Sequence, residues 1–539
     1  MILTLGLFQG VQAQEVDDVD PPAVDEPVDE PVDEPAEDPA PEPLPPPVTP
    51  AEEPPESTPP PVAPAKPAQP AEEPQEVEPL PTDEPTETDV ERGIRSEFIF
   101  GSYGRVRAAG NLDGGSAQPV NVVTHGSRID ESSYAELEFR QRFSTPSTDQ
   151  WQFQSEIVAT LAFLDDFFHY LGEFDQSMAM RNLYADVGWS EDRFDVSLWG
   201  GSRMYRGDDI YLLDFWPLDN LNTVGGGTNL GMNQSSGRTQ LQLHAGLNRL
   251  HDPYQYQVVQ VPGLQFGSED VVFLDRQRFI ASARVEQQLH LAPGARQGLK
   301  VVAYGESHRL PEGTRRDDDG FRDEVLPEDT GWRMGGQLGF WHADGGLFSG
   351  SFANAFVRYS ADLGAYGDMG IPYGVNLEET SEGARDLLLG LSGNLETPWA
   401  GLLLGTYFRN FSTASREQDF HDYWETIVAA RAHAYVTDHI HPGVEVSYQV
   451  RQHAGPYPTT ESYGSPQFQA PAVTKLSLIQ AFSLERGMYS RPQLRLIYTA
   501  ALPNASAQSL YRAEDRRRHL DVQHYLGVGV EWWFNSASY

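Results

Sequence analysis

Three stretches of the sequence place an aromatic residue two positions away from a charged residue. These pairs are Tyr103 with Arg105, Tyr134 with Glu136, and Trp533 with Glu531. An aromatic ring can stack on the flat C–H face of a sugar, while carboxylate and guanidinium groups hydrogen-bond to the hydroxyl groups around its rim. Any one of these rings could instead fill space inside the protein. Three such pairs together favour non-covalent recognition of a carbohydrate.

The surrounding sequence alternates between apolar and polar residues with a period of two. In SSYAELEFRQRF the row from Tyr134 to Arg142 is polar, and the row from Ala135 to Phe143 is apolar. Successive side chains of a strand point to opposite faces, so such a strand has one polar and one apolar face. The pattern recurs from Glu97 to the end of the chain without a competing helical period, which predicts an all-β fold.

Two all-β architectures can use such strands. A soluble sandwich buries the apolar rows against each other, whereas a membrane barrel turns them outward to lipid and lines its lumen with the polar rows. The polar rows are bulky and charged, and long polar loops alternate with short connections such as SEDR. The length of this segment suits a barrel with a number of strands in the high teens. Together, these features predict a transmembrane antiparallel β-barrel over residues 93–539.

The composition excludes several classes of protein. The net charge of −41 argues against binding nucleic acid, and the absence of cysteine rules out disulfides, thiolate metal sites and cysteine catalysis. The mean hydropathy is −0.47, and no apolar run reaches the roughly 20 residues of a spanning helix. No motif has the spacing of an enzyme active site, so we expect no catalytic residues, metal or cofactor.

The amino-terminal region differs from the rest of the chain. Residues 1–14 contain a short apolar stretch without a basic start, which predicts a signal peptide truncated at its beginning. Residues 15–92 hold more than half of the 41 prolines and many acids, with Lys66 as the only base before residue 91. This composition cannot bury enough apolar surface to fold, so we expect a disordered acidic arm that precedes the barrel and extends into the periplasm.

Several motifs, in order, resemble the maltoporin (sugar porin) family. They are SYGRVRAAG, SSYAELEFRQRF, LWGGSRMYRGDDIYLLDFWPLDN, YSRPQLRLIYTA and GVGVEWWF, and the third is the most specific. The resemblance runs from Phe98 to Phe534. It implies an 18-stranded trimeric barrel of the Gram-negative outer membrane, whose third loop folds inward to narrow the channel. It also implies a lane of aromatic residues, the slide, flanked by a polar track that passes malto-oligosaccharides.

The resemblance assigns roles to individual residues. Slide positions are Tyr103, Tyr134 and Trp533; polar-track positions are Arg105, Arg128, Glu136 and Arg181, with Asp209 and Asp214 in the inward loop; Trp216 takes the place of the constricting tyrosine. The chain departs from the family pattern at Thr437 and Met334, where slide aromatics are expected. It also departs at Gly207, where an arginine is expected, and Phe174 is a weak match for the ring that a neighbouring subunit lends. The glycine-rich GGGTNLG segment is expected to continue the inward loop.

These observations predict a passive sugar channel that assembles as a homotrimer in outer-membrane lipid. Three alternatives remain open at this point. The first is a general or anion-leaning porin whose slide has decayed, and the second is a structural barrel whose arm tethers a periplasmic or cell-wall partner. The third is an outer-membrane enzyme, for which the sequence offers no assembled site.

Overall fold

The computed structural model describes residues 93–145, 152–164, 178–263, 267–292, 295–316, 322–343, 345–416, 421–455 and 470–536. The predicted signal peptide (1–14) and acidic arm (15–92) lie outside these residues and stay predictions, as does Phe174.

The strands are numbered in chain order. They are β1 (Arg95–Gly110), β2 (Tyr134–Ser144), β3 (Gln152–Leu164), β4 (Met178–Ser190), β5 (Phe194–Arg206), β6 (Asn220–Gln234), β7 (Gly237–Asn248), β8 (Tyr256–Pro262), β9 (Ser268–Asp275), β10 (Arg278–His290), β11 (Gln297–Leu310), β12 (Gly313–Arg316), β13 (Asp323–Leu326), β14 (Asp329–His342), β15 (Ser351–Asp362), β16 (Arg385–Glu396), β17 (Ala400–Ser412), β18 (Tyr423–Ala434), β19 (Ile440–His453), β20 (Ala472–Ser483), β21 (Gln493–Pro503) and β22 (Gln523–Phe534). The hairpins β8–β9 and β12–β13 form separate two-stranded sheets within connections.

The other 18 strands form one closed antiparallel sheet, as expected. Closure comes from the pairing of β1 with β22, which sets Tyr103 opposite Trp533. No helix in the described residues is long and apolar enough to cross a membrane. The predicted β-barrel is therefore confirmed, including its strand number.

The alternation of side chains follows the predicted faces. Leu243 and Leu247 on β7 are exposed on the outside, while His244 between them is buried in the interior. In the last strand Leu526 and Val528 are exposed and Glu531 is buried. Because every second residue points outward, the barrel has an apolar outer belt and a polar, charged interior.

The connections alternate between short and long. Residues 191–193 and 235–236 are short turns at one end of the barrel, and residues 111–133 and 363–384 are long loops at the other. In an up-and-down barrel this alternation places all short turns on one side. β1 begins and β22 ends at the short-turn end.

The loop 207–219 folds into the lumen, as predicted. Ile210, Leu212 and Leu213 are at most 1% exposed. They pack against inward side chains of five strands, namely Val302, Tyr304, Phe356, Leu388, Leu403, Tyr407, Ile427 and Ala429. Each fully buried aliphatic side chain stabilises such packing by about 1.5–3 kcal/mol, so the loop is held by its own apolar residues.

The loop 111–133 also enters the lumen, which the sequence did not predict. The Val122 amide donates to Gln449 Oε1 at 3.0 Å, and the Thr124 amide donates to Glu425 Oε2 at 3.0 Å. His125 stacks on Phe215 of the other inward loop, with ring centroids 3.9 Å apart. Burial lowers the pKa of His125 to about 3, so this ring stays neutral. Two loops therefore fill the middle of the barrel together.

Two expectations about individual segments were wrong. The GGGTNLG segment, residues 225–231, belongs to the wall strand β6 rather than to the inward loop. Its glycines fit there because a side chain at Gly227 would collide with Trp199 and with the Leu243 carbonyl. Met334 is 60% exposed on the outer face of β14, since it is the adjacent Arg333 that points inward. Met334 is therefore no position of the slide.

Candidate functional site

The inward face of β1 and the two inward loops share one cluster of charges. The Tyr103 hydroxyl accepts hydrogen bonds from Arg105 Nη1 at 2.9 Å and from Arg128 Nη2 at 2.5 Å. Asp214, which has a left-handed backbone (φ 47°), lies 3.5 Å from Arg105 and 3.7 Å from Arg128. Burial alone would raise the pKa of Asp214, but Arg128 and Arg105 hold it well below its usual range. These predicted site residues are thus brought together.

Glu531 on β22, the strand that pairs with β1, connects this cluster to arginines on and just before β21. It accepts hydrogen bonds from Arg128 at 3.0 Å, from Arg491 at 2.8 Å and from Arg495 at 2.6 Å. The Tyr211 hydroxyl of the inward loop donates to the same carboxylate at 2.9 Å. Glu531 is 2% exposed, so Arg491 and Arg495 depend on this buried carboxylate for charge compensation, and Arg128 shares it with Asp214.

A second group of predicted residues lies beside the first. Arg181 on β4 pairs with Glu136 on β2, and its Nη1 donates to the Tyr134 hydroxyl at 2.6 Å. The rings of Tyr134 and Tyr103 are 6.0 Å apart between centroids, which continues the aromatic lane across two strands. Tyr103, Tyr134 and their polar neighbours therefore form one contiguous surface, as the resemblance implies.

The two tyrosines of this surface are covered rather than open. Tyr103 is 2% exposed and Tyr134 is 6% exposed. The guanidinium groups of Arg105 and Arg181 lie over the Tyr134 ring at 5.6 and 5.8 Å from its centroid. A solute can stack on Tyr134 only after these arginines move. The part of the lane formed by Tyr103 and Tyr134 is therefore closed in this structure.

Three half-buried rings lie at the short-turn end of the lane. Trp533 on β22, Tyr489 in the turn 484–492 and Phe352 on β15 are all partly exposed. The ring centroids are 6.3 Å apart for Trp533 and Tyr489, and 5.9 Å apart for Tyr489 and Phe352. Arg491 lies 4.0 Å from the centroid of Trp533. Each of the three rings therefore keeps part of its surface accessible, and Arg491 covers one face of Trp533.

The inward loop contributes two further predicted residues, which stand apart from each other. Trp216 is 9% exposed and lies under the Arg206 guanidinium, 3.7 Å from the ring centroid. Asp209 is half-buried, and burial raises its pKa to about 7. A side chain at Gly207 would collide with the Asp219 carboxylate, which explains why the expected arginine is absent there.

Sequence reasoning missed Tyr211, Phe352, Tyr489, Arg491 and Arg495. Three of them lie in or beside the YSRPQLR stretch that supported the family resemblance, where Tyr489 and Arg491 repeat the aromatic–charge spacing of the other strands. This spacing is a sequence signal that points to Tyr489 and Arg491. Thr437, at the expected slide position, is exposed in the short turn 435–439 and accepts a hydrogen bond from the Ile440 amide. Tyr489 supplies a ring at this end instead.

Within the residues that the structure describes, no three His, Asp or Glu side chains converge as ligands for a metal ion. The lumenal groups are rings, guanidinium groups and carboxylates that are engaged with one another. Such groups stack on a solute and exchange hydrogen bonds with it.

A closed barrel with an apolar belt, a charged interior and a loop folded into its lumen is the architecture of an outer-membrane pore. The family described as LamB porin matches residues 98–534, and the chain belongs to this family. The protein is therefore an outer-membrane channel. None of the curated proteins matches this chain.

Three solved structures illustrate the similarity of fold. The loop L8 deletion mutant of OmpT from Vibrio cholerae is 12% identical and covers 82% of this chain and 100% of its own, with a TM-score of 0.34. OccD3 (OpdP) from Pseudomonas aeruginosa is 11% identical; the match covers 81% of this chain and 91% of OccD3, with a TM-score of 0.38. OccAB2 from Acinetobacter baumannii is 10% identical; the match covers 82% of this chain and 98% of OccAB2, with a TM-score of 0.38. At these values the similarity says nothing about solutes.

Proposed function

We propose that this channel conducts sugars by facilitated diffusion, with malto-oligosaccharides as the solutes. The observation that carries the proposal is the half-buried trio of Trp533, Tyr489 and Phe352, whose rings follow one another at about 6 Å beside Arg491. A sugar that leaves one ring can contact the next while the guanidinium group holds its hydroxyls. Many weak and evenly spaced contacts let a solute enter and leave readily.

The part of the lane formed by Tyr103 and Tyr134 contributes to the same pathway. The Tyr103 hydroxyl accepts a hydrogen bond from Arg105, and the Tyr134 ring lies under Arg105 and Arg181. Because these arginines also bind carboxylates, the hydroxyl groups of a passing sugar would replace those ion-pair contacts. We propose slide roles for Tyr103, Tyr134 and Trp533, and polar-track roles for Arg105, Arg128, Glu136 and Arg181. Asp209, Asp214 and Trp216 would form the constriction.

One observation favours a second candidate, a general diffusion porin with an anion preference. The rings of Tyr103 and Tyr134 are buried. Four arginines gather around Glu531 and Asp214 in the lumen, namely Arg105, Arg128, Arg491 and Arg495. A pore with that charge would attract small anions irrespective of sugar chemistry.

Liposome swelling distinguishes the two candidates. Proteoliposomes should swell faster in maltose and maltotriose than in a non-sugar solute of equal size, and Trp533→Ala should remove most of that preference. Stacking on one ring is worth on the order of 1 kcal/mol, which is a severalfold effect. Swelling that depends on solute size alone in the wild type would reject the sugar pathway and favour the general porin.

The assembly and the arm remain part of the proposal. Family resemblance supports a homotrimer, and the position of β1 at the short-turn end supports an arm on the periplasmic side, where it could meet a cell-wall partner.

A further inference from the structure

A second aromatic cluster lines the lumen wall away from the proposed lane. Arg203 on β5 lies over three rings, with its guanidinium carbon 4.5 Å from the centroid of Tyr184, 5.0 Å from Trp199 and 5.6 Å from Tyr205. Trp199 and Tyr205 are stacked at 6.0 Å, and His244 on β7 stacks on both. We call Tyr184, Trp199, Tyr205 and His244 the arginine box.

Arg203 differs from the other arginines of this wall because it has no polar partner. Among the described residues, no carboxylate reaches ion-pair distance of its guanidinium group, and Nη1 is buried without a hydrogen-bond partner. Nearby arginines are all paired: Arg284 with Glu286 at 2.8 Å, Arg238 with Asp195 at 2.8 Å, and Arg181 with Glu136. A half-buried cation held only by ring faces keeps its in-plane N–H groups available.

The box holds this guanidinium group in place. Tyr184, Trp199 and Tyr205 are each less than 10% exposed. The absence of a side chain at Gly227 lets the Trp199 indole lie against β6. Asp186, an acid on the neighbouring strand, accepts a hydrogen bond from Ser197 Oγ at 3.1 Å and forms no ion pair with Arg203. Arg203 is therefore held by ring faces and has no ion-pair partner among the described residues.

We infer that Arg203 and its box form a subsite for a carboxylate group carried by the solute. A guanidinium group offers parallel N–H donors that match a carboxylate in a bidentate geometry. The inference rests on the proposed sugar pathway and extends it to acidic sugars, whose carboxylate would engage Arg203 while their rings follow the lumen. A small organic acid carries the same group, and the test separates the two sources.

Channel block in planar bilayers tests the subsite with the full-length protein. Block by hexagalacturonate, by the non-sugar acid succinate and by maltohexaose is titrated for the wild type, R203Q, R203K and the control R238Q, which removes a paired lumenal arginine. We expect the ratio of hexagalacturonate to maltohexaose affinity to fall about tenfold in R203Q, since a charged hydrogen-bonded contact is lost. R203K should lose less, because its ammonium keeps the charge but not the fork. R238Q should keep the ratio within about twofold of the wild type, because Arg238 already has a partner.

The outcomes separate the possible failures. If succinate block falls as well in R203Q, the subsite accepts any carboxylate; if only hexagalacturonate block falls, it is specific for acidic sugars. An unchanged ratio in both R203Q and R203K overturns the inference and leaves the box as packing. If maltohexaose fails to block the wild type, the proposed function fails, and hexagalacturonate block in wild type against R203Q still decides the subsite. Where R203Q does not insert, the R203K comparison decides.

Discussion

Glu531 should be the residue on which the electrostatics of the constriction depend most. The substitution Glu531→Gln keeps the size of the side chain but removes the negative charge that Arg128, Arg491 and Arg495 share at 2.6–3.0 Å. Removing one partner of a buried ion pair costs about 3–5 kcal/mol, because it leaves charge uncompensated. We expect the free energy of unfolding to fall by that amount.

The same substitution should change ion selectivity. A unit charge 4 Å from an ion contributes about 1 kcal/mol in water, with opposite sign for chloride and potassium, so its loss should raise the chloride-to-potassium permeability ratio by up to roughly thirtyfold. Conductance should change little, since the loop 207–219 is held mainly by Ile210, Leu212 and Leu213.

Urea unfolding in lipid vesicles and reversal potentials in a salt gradient measure the two effects. Glu445→Gln is the matched control for stability, because Glu445 is 1% exposed and pairs with the single arginine Arg431. Glu531→Asp, which keeps the charge, is the control for selectivity. If Glu531→Gln unfolds at the same urea concentration as the wild type, the idea that Arg491 and Arg495 depend on this carboxylate is refuted.

Three further outcomes follow from the lumen and the arm. Burial raises the pKa of Asp209 to about 7, so this carboxyl group gains its negative charge as the pH rises through neutrality. The preference of the channel for cations should therefore increase from about pH 6 to about pH 8. This increase should be absent in Asp209→Asn. Trp216→Ala should raise single-channel conductance, because it removes an indole from the loop in the lumen; an unchanged current would show that Trp216 does not narrow the pore. Deleting residues 15–92 should leave conductance at high salt and sugar block intact, since no apolar row of the barrel needs them; loss of barrel assembly in the deletion variant would contradict this.

Period-two alternation was enough to predict an all-β fold, and the charged polar rows with alternating long and short loops favoured a barrel over a sandwich. It assigned Tyr134 and Glu136 to the lumen and Leu526 to the outside, because the face of a strand residue depends only on parity. The same rule, applied to β14, would have shown that Met334 points outward beside the inward Arg333.

The state of the candidate site could not be predicted in the same way. Parity predicts that Tyr103 and Tyr134 face the lumen, but the covering of Tyr134 by Arg105 and Arg181 depends on contacts between residues far apart in sequence. The insertion of loop 111–133 depends equally on distant partners, since its amides bind Glu425 and Gln449. The turn 484–492 gave a local signal, the Tyr489–Arg491 spacing, but only the fold shows that it meets Trp533.

The central claim, that a lane of lumenal rings carries sugars through this channel, is tested most directly by single-channel current recorded with and without maltohexaose. The account predicts reversible, concentration-dependent block of the wild type that weakens severalfold in Trp533→Ala and in Tyr489→Ala. Ionic current that maltohexaose never interrupts, at any concentration and from either side of the membrane, would contradict it.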